Sequence, residues 1–124
     1  MIWLAIGAGG ALGAMARHGV NHLVHQRALS ATFPFGILLV NVAGSFAIGL
    51  VAGLLAGHRI ELSYTARTFV IVGFLGGFTT FSSFSLDTLA LARDGHPGQA
   101  LLNVAGHVGL SLLGVWCGWW LATK

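Results

Sequence analysis

Residues 76–85 read Gly-Gly-Phe-Thr-Thr-Phe-Ser-Ser-Phe-Ser, and they lie inside an interval, 68–86, that contains no Asp, Glu, Lys or Arg. Glycine lowers helix propensity, and Ser and Thr side chains compete for backbone hydrogen bonds. The stretch therefore predicts a break near 76–82 in a membrane helix. Backbone groups released inside a bilayer are tolerated only where they are buried in protein or line a polar site. The alternative is a continuous helix whose hydroxyls bond back to the preceding turn.

Three more charge-free intervals, 1–16, 28–58 and 95–123, divide the rest of the chain. A bilayer-spanning helix needs about 20 mainly apolar residues, and an isolated strand would leave backbone groups unpaired in hydrocarbon. The 124 residues are therefore predicted to form one all-α membrane domain with four transmembrane helices. The predicted helices cover about 2–23, 34–56, 65–92 (broken near 76–82) and 98–121.

The composition excludes several classes of protein. Hydrophobic residues make up 56% and charged residues 7% of the chain, and the mean hydropathy is +0.84. Soluble domains carry about 25% charged residues, so this surface is expected to face lipid. The net charge of +3 comes from scattered basic residues that form no patch for nucleic acid. Cys117 is the one cysteine, which excludes a disulfide scaffold. No nucleophile–base pair lies within a predicted span, which argues against an enzyme.

Glycine recurs at every fourth position within each predicted span, a spacing that lets membrane helices approach closely. Glycine is common in membrane helices, which explains any single pair equally well, but repeats in all four spans favour tight packing. The repeats are Gly9/Gly13, Gly49/Gly53/Gly57, Gly73/Gly77 and Gly114/Gly118. A bundle of this size is too small to enclose an aqueous pore, so transport would require an assembly.

The basic residues divide evenly between the two sides of the predicted topology. One side, with the termini and the second connection, carries Arg59, Arg67 and Lys124, and the other carries Arg17, Arg27 and Arg93. An excess of Lys and Arg on one side normally fixes orientation, so its absence predicts that both orientations insert. Two opposite copies can then pair about a two-fold axis in the membrane plane, as an antiparallel, dual-topology homodimer.

Neutral polar groups around the predicted break suit an anion. Phe78, Phe81 and Phe84 recur every third residue among hydroxyls, and a phenyl ring has a positive edge. Asn41, deep in the second span, carries an amide that can donate to an anion, although such residues also join helices. In a dimer of two opposite copies, the broken helices would meet at the centre of the bilayer. Their carbonyl oxygens would form a cage suited to a monovalent cation.

Two segments resemble a known family. Leu-Val-Asn-Val-Ala-Gly-Ser at 39–45 and Gly-Phe-Leu-Gly-Gly-Phe-Thr-Thr-Phe-Ser-Ser-Phe-Ser at 73–85 are similar to the Fluc (CrcB) family of fluoride channels. The similarity covers essentially the whole chain. It implies a fluoride-selective channel of the cell membrane, the inner membrane in bacteria, that lowers cytoplasmic fluoride by passive export. It also implies a lipid-embedded antiparallel homodimer with two pores and a structural sodium ion at the dimer centre.

The resemblance further implies a role for each matching residue. Sodium would be bound by the backbone carbonyls of Gly76 and Thr79 from both subunits. The fluoride pathway would comprise Phe81 and Phe84 as an aromatic box, Asn41 as a donor, Ser82 and Ser83 as a hydroxyl track, and Arg17 as a source of positive potential at the pore mouth. Two positions depart from the family pattern. Asp87 stands where a longer Glu is common, and His107 stands where a small hydroxyl residue is expected.

Competing hypotheses attach to other residues. His18, His22 and His25 could present imidazoles on one helical face for zinc, but their place at the end of the first span favours interfacial polar residues. A small multidrug exporter is the rival transport function. It requires a carboxylate embedded in the membrane, and Asp87 is the only acid in the first three predicted spans. A non-transporting scaffold subunit would explain the glycine repeats but not Asn41 or the hydroxyl cluster.

Overall fold

The computed structural model describes residues 1–27 and 32–124, and every regular element within those ranges is helical. The connection between the first two predicted spans, at 28–31, lies outside the described residues. Helix α1 comprises Ile2–Arg27 and α2 comprises Phe35–Ala56. The third span consists of consecutive pieces, which are α3 (Tyr64–Thr68), the π-helix π1 (Phe69–Leu75), α4 (Gly76–Phe78) and α5 (Phe81–Arg93). Helix α6, Pro97–Thr123, follows a short turn.

Three helical segments are long and apolar enough to cross a membrane, namely Phe35–Ala56, Tyr64–Arg93 and Pro97–Thr123. The 26-residue helix α1 is not among them, since Arg17, three histidines and other polar residues occupy its second half. The described chain is thus an all-helical, multi-pass membrane protein. Helix α1 also runs beyond its predicted end near 23, and in its last turns the side-chain nitrogens of His22 and Gln26 form a hydrogen bond of 2.9 Å.

Helix α1 packs against π1 and α4 through glycine. A Cβ atom added to Gly9 would lie 2.6 Å from the carbonyl oxygen of Phe69, and one added to Gly77 would lie 2.6 Å from the carbonyl oxygen of Gly10. No residue other than glycine fits at such distances without moving a backbone. The first and third glycine repeats therefore bring two backbones into direct contact, as small-residue repeats do in membranes.

Helices α2 and α6 form the second close pair. Gly49 lies against the backbone of Val115, and Gly118 lies against the backbones of Phe46 and Leu50. Gly57, the last member of its repeat, lies beyond the end of α2. It does not contact α6, and its backbone N–H donates to the Gly53 carbonyl. The two glycine-mediated pairs hold the four segments in fixed positions, with α5 lying beside α6.

Much of the apolar surface is uncovered in a single chain. The exposed fractions of Trp3, Trp116 and Phe81 are 81%, 80% and 78%. By contrast, two polar side chains of α6 are buried, Asn103 at 0% exposure and His107 at 5%. The distribution is the reverse of that in a soluble domain and matches a protein whose exterior faces lipid or another apolar surface.

Candidate ion pathway

The third span contains two extended residues, Thr79 (φ −78°, ψ 157°) and Thr80 (φ −154°, ψ 116°), between α4 and α5. Each of their four backbone polar groups has a partner. The Thr79 N–H donates to the carbonyl of Leu75 at 3.0 Å, and the Thr79 carbonyl accepts from Nη1 of Arg17 at 3.2 Å. The Thr80 N–H and carbonyl both bond the side chain of Asn41. This complete pairing is what backbone away from water requires.

Asn41 pairs with Thr80 because α2 passes directly beside the extended residues. Its Nδ2 donates to the Thr80 carbonyl at 2.9 Å, and its Oδ1 accepts from the Thr80 N–H at 2.8 Å. Gly44, one turn later, leaves room for the methyl group of Thr79. The predicted anion donor therefore also acts as a structural partner. One of the two amide hydrogens remains for another acceptor.

Arg17 reaches the same segment from α1. Its guanidinium donates to Thr79, 62 positions further along the chain. The family resemblance implies a cation at a pore mouth, and in the structure the Arg17 guanidinium bonds a backbone carbonyl of the extended segment.

Hydroxyl groups cluster where α5 begins. Oγ1 of Thr80 accepts from the Ser83 N–H at 3.2 Å and so caps the helix. The same oxygen lies 3.2 Å from Oγ of Ser82 and 3.1 Å from Oγ of Ser83. A helix N-terminus carries partial positive charge, and rotatable hydroxyls can direct their hydrogens toward an acceptor. The cluster can therefore stabilise an anion without a formal charge.

The phenyl rings of the predicted aromatic box meet edge to face. The centroids of Phe81 and Phe84 are 5.2 Å apart, with 65° between the ring planes. Phe84 is only 8% exposed, whereas Phe81 is 78% exposed. Phe78 does not join them, since it stacks on Phe74 at 6.1 Å and faces Gly44.

A groove of about 490 Å³ is lined by most of the predicted site residues. Of the predicted residues, those that line the groove are Asn41, Gly76, Thr79, Phe81 and Phe84. Arg17, Ser82 and Ser83 do not line it, although they contact residues that do. The groove is lined from α6 by His107 and Ser111.

Helix α6 contributes a polar network that the sequence did not predict. Nδ2 of Asn103 donates to Oγ1 of Thr88 at 2.9 Å, and that hydroxyl donates to the carbonyl of Phe84 at 2.8 Å. Nδ1 of His107 bonds the carbonyl of Asn103 at 3.0 Å, and the His107 ring lies 4.4 Å from the Phe84 ring. A signal was available in the sequence, because Asn103, His107 and Ser111 are spaced by four residues in an apolar helix.

Asp87 borders a separate cavity of about 230 Å³ together with Asn21 and His25. Its Oδ2 is buried and has no hydrogen-bond partner among the described residues. By their spacing, the histidines of α1 are candidate zinc ligands. His18 stacks on His22, with the ring centroids 6.1 Å apart. Within residues 1–27 and 32–124, no group of three His, Cys, Asp or Glu side chains is arranged to hold a metal ion.

Comparison with known proteins places these features in context. Residues 4–119 match the family model described as CrcB-like protein, Camphor Resistance (CrcB). A protein of Opitutus terrae named fluoride-specific ion channel FluC is 52% identical over 118 residues, covering 94% of this chain and 89% of its own. A protein of the same name from Paramagnetospirillum magneticum is 47% identical over 124 residues, covering 99% and 96%. A third, from Rhizobium meliloti, is 48% identical and covers 93% and 90%.

Proposed function

This chain belongs to the CrcB-like protein family, and we propose on that basis that it is a fluoride channel and not an enzyme. The observation that carries the proposal is the segment at Thr79 and Thr80, where extended backbone, hydroxyls and phenyl rings meet inside an apolar span. The relatives named as fluoride-specific channels match over nearly the whole chain, including this segment.

The fluoride pathway comprises Arg17, Asn41, Phe81, Ser82, Ser83 and Phe84. Fluoride is small and strongly hydrated, so donors must replace its water. The hydroxyls of Ser82 and Ser83 surround the capping oxygen of Thr80 at the N-terminus of α5, where the helix dipole favours an anion. The ring edges of Phe81 and Phe84 add weak positive potential. Neutral groups hold the ion loosely enough for it to leave, as conduction requires.

A structural sodium ion at the dimer centre would be held by the carbonyls of Gly76 and Thr79, the latter through the lone pair that the Arg17 guanidinium leaves free. In a continuous helix the Thr80 N–H would bond the Gly76 carbonyl, but it bonds Asn41 at 2.8 Å instead. The Gly76 carbonyl is thus without the donor that a helix supplies, and both residues line the groove. Unwound carbonyls of broken membrane helices are suitable sodium ligands, and a bound cation stabilises nearby anions.

The functional unit is an antiparallel homodimer. The even division of Lys and Arg supports dual topology. The open groove and the exposed ring of Phe81 support a second copy as the surface that completes the site. Two opposite copies give two pathways related by a two-fold axis. Fluoride then leaves the cytoplasm passively, down its own gradient.

Efflux from liposomes tests the function directly. Purified protein is reconstituted into liposomes loaded with potassium fluoride and potassium chloride, and each anion is followed with its own electrode after addition of a potassium ionophore. We expect fluoride to leave and chloride to stay. Equal efflux of both anions, or efflux no faster than from protein-free liposomes, would contradict the proposal. Replacement of sodium by N-methylglucamine is expected to lower the melting temperature of the dimer, and an unchanged melting temperature would remove sodium from the proposal.

A further inference from the structure

Asn103 is the most deeply buried polar side chain of α6, with 0% exposure, and its Oδ1 has no hydrogen-bond partner among the described residues. Burial of a half-satisfied amide is unfavourable, and an apolar residue of similar size would avoid that cost. Stability alone therefore does not explain why an asparagine occupies this position.

The amide nitrogen of Asn103, by contrast, is connected to Phe84 through two hydrogen bonds. Asn103 donates to Thr88, and the Thr88 hydroxyl donates to the carbonyl of Phe84, with distances of 2.9 and 2.8 Å. Consecutive hydrogen bonds polarise and strengthen each other in a low-dielectric interior. The chain of bonds ties the turn of α5 that carries Phe84 to a fixed point on α6.

His107, one turn after Asn103, holds the ring of the same residue. The two ring centroids are 4.4 Å apart and the planes are tilted by 36°. The Asn103 carbonyl can only accept, so Nδ1 of His107 carries the hydrogen in their 3.0 Å bond, which fixes the orientation of the imidazole. One turn of α6 thus contacts both the backbone and the ring of Phe84.

We propose that Asn103, acting through Thr88, and His107 are positioning residues that set the orientation of the Phe84 ring in the anion pathway. This inference rests on the proposed function. The Phe81 carbonyl accepts a similar bond from the Ser85 hydroxyl at 2.9 Å, but among the described residues no side chain of another helix bonds that hydroxyl, and Phe81 is 78% exposed. The two rings of the aromatic box therefore differ. The chain itself orients Phe84, whereas the surface that covers the groove orients Phe81.

The hydroxyl of Thr88 gives the sharpest test. Thr88→Val keeps the shape of the side chain and removes both hydrogen bonds, whereas Thr88→Ser keeps the hydroxyl. We expect fluoride efflux from liposomes to fall by about tenfold in Thr88→Val, because small misplacements of functional groups are costly, and to be rescued in Thr88→Ser. Thr68→Val is the matched control, since the Thr68 hydroxyl makes the same bond to the residue four positions earlier at 2.8 Å, far from Phe84. Wild-type efflux in Thr88→Val would overturn the proposal.

A paired variant separates positioning from stability. Asn103→Leu combined with Thr88→Val removes both partners of this bond, so neither side chain leaves the other unpaired and the melting temperature should recover relative to Thr88→Val alone. We expect efflux to stay slow in the paired variant. Recovery of efflux together with melting temperature would mean that the network serves stability alone, and would overturn the proposal.

The ring of His107 is tested in the same assay. His107→Phe keeps an aromatic face against Phe84 and is expected to conduct faster than His107→Ala. If the two variants conduct equally, His107 is not a positioning residue.

A spectroscopic measurement keeps the inference independent of transport. With 4-fluorophenylalanine incorporated at position 84, the ¹⁹F signal should shift or broaden in Thr88→Val and keep its wild-type position in Thr68→Val. An unchanged signal in Thr88→Val would overturn the positioning role. Absence of fluoride efflux from the wild-type protein would instead contradict the proposed function, and the ¹⁹F signal would still decide the role of the network.

Discussion

The side chain of Asn41 pairs with the backbone of Thr80 in both directions, with its amide nitrogen 2.9 Å from the carbonyl oxygen and its amide oxygen 2.8 Å from the backbone nitrogen. This is the pattern by which one strand residue pairs with another, supplied here by a helix side chain. It allows extended backbone to exist inside an apolar span.

Removal of this pairing should destabilise the protein. Asn41→Ala leaves two backbone groups of Thr80 without partners, at a cost of about 1–3 kcal/mol for each. We expect a lower melting temperature and loss of fluoride efflux. Ser45→Ala, one turn later in the same groove, is the control for stability, because the Ser45 side chain makes no hydrogen bond within residues 1–27 and 32–124. Equal melting temperatures for the two variants would contradict the structural role of Asn41.

Arg17 combines a hydrogen bond with a charge, and substitution can separate the two. Arg17→Gln can still donate to the Thr79 carbonyl but lacks the positive potential that attracts an anion. We expect slower fluoride efflux than in the wild type, with a difference that shrinks as ionic strength rises, because salt screens the attraction within about 10 Å at 0.1 M. A difference that is independent of salt would show that the charge does not act through long-range attraction.

Substitution of the two phenyl rings should have different effects on the melting temperature but the same effect on fluoride efflux. Phe81→Ile and Phe84→Ile are each expected to abolish fluoride efflux while the dimer persists in size-exclusion chromatography. Phe84→Ile should lower the melting temperature more than Phe81→Ile, because Phe84 packs on His107 within the chain whereas Phe81 is exposed in the single chain. Unchanged efflux in both variants would remove the aromatic box from the pathway.

Glycine at the helix contacts should be irreplaceable only where backbones touch. Gly77→Ala would place a methyl group 2.6 Å from the Gly10 carbonyl oxygen, whereas nothing lies within 4 Å of the same position at Gly109. We expect Gly77→Ala to lower the melting temperature or prevent folding. Gly109→Ala should match or exceed the wild type, since alanine is the better helix former by about 1 kcal/mol. Comparable stability of the two variants would contradict the close packing of α1 and α4.

Dual topology predicts that one connection faces both sides of the membrane. In a Cys117→Ser background, His96→Cys places a single thiol in the exposed turn before α6. An impermeant maleimide added outside intact cells should label about half of the protein, and the rest only after permeabilisation. Labelling from one side alone would exclude the antiparallel dimer.

The sequence was sufficient to predict the helical, membrane-embedded character of the chain, because charge-free intervals and glycine repeats are local signals. Residues 76–85, which the sequence singles out, include the two extended residues Thr79 and Thr80. The sequence could not predict that Arg17 and Asn41 bond the backbone of Thr79 and Thr80, since a side chain 62 positions away gives no local signal of its partner. Hydroxyl and amide residues in a span have several possible partners, and only packing selects among them.

The fourth span shows the same limit. The sequence alone does not distinguish Asn103, and His107 stands out only as a departure from the family pattern, although their four-residue spacing with Ser111 defines one face of α6. Which face of an apolar helix meets which neighbour depends on glycine contacts such as that of Gly118 with Phe46, and these follow from three-dimensional packing. The π-helix at Phe69–Leu75 likewise has no distinctive sequence, and it lies where α1 approaches most closely.

Because Arg17, Asn41 and Leu75 satisfy all four backbone groups of Thr79 and Thr80, the extended segment is complete within one newly inserted chain. None of these four hydrogen bonds needs a second copy, so in the proposed dimer each chain could form the extended segment before the two chains pair. A chain that has not yet met its partner already has the unwound segment, but it leaves Phe81 uncovered and the groove open on one side. In the proposed dimer the second copy would cover this groove, so a closed ion pathway would form only when two chains assemble.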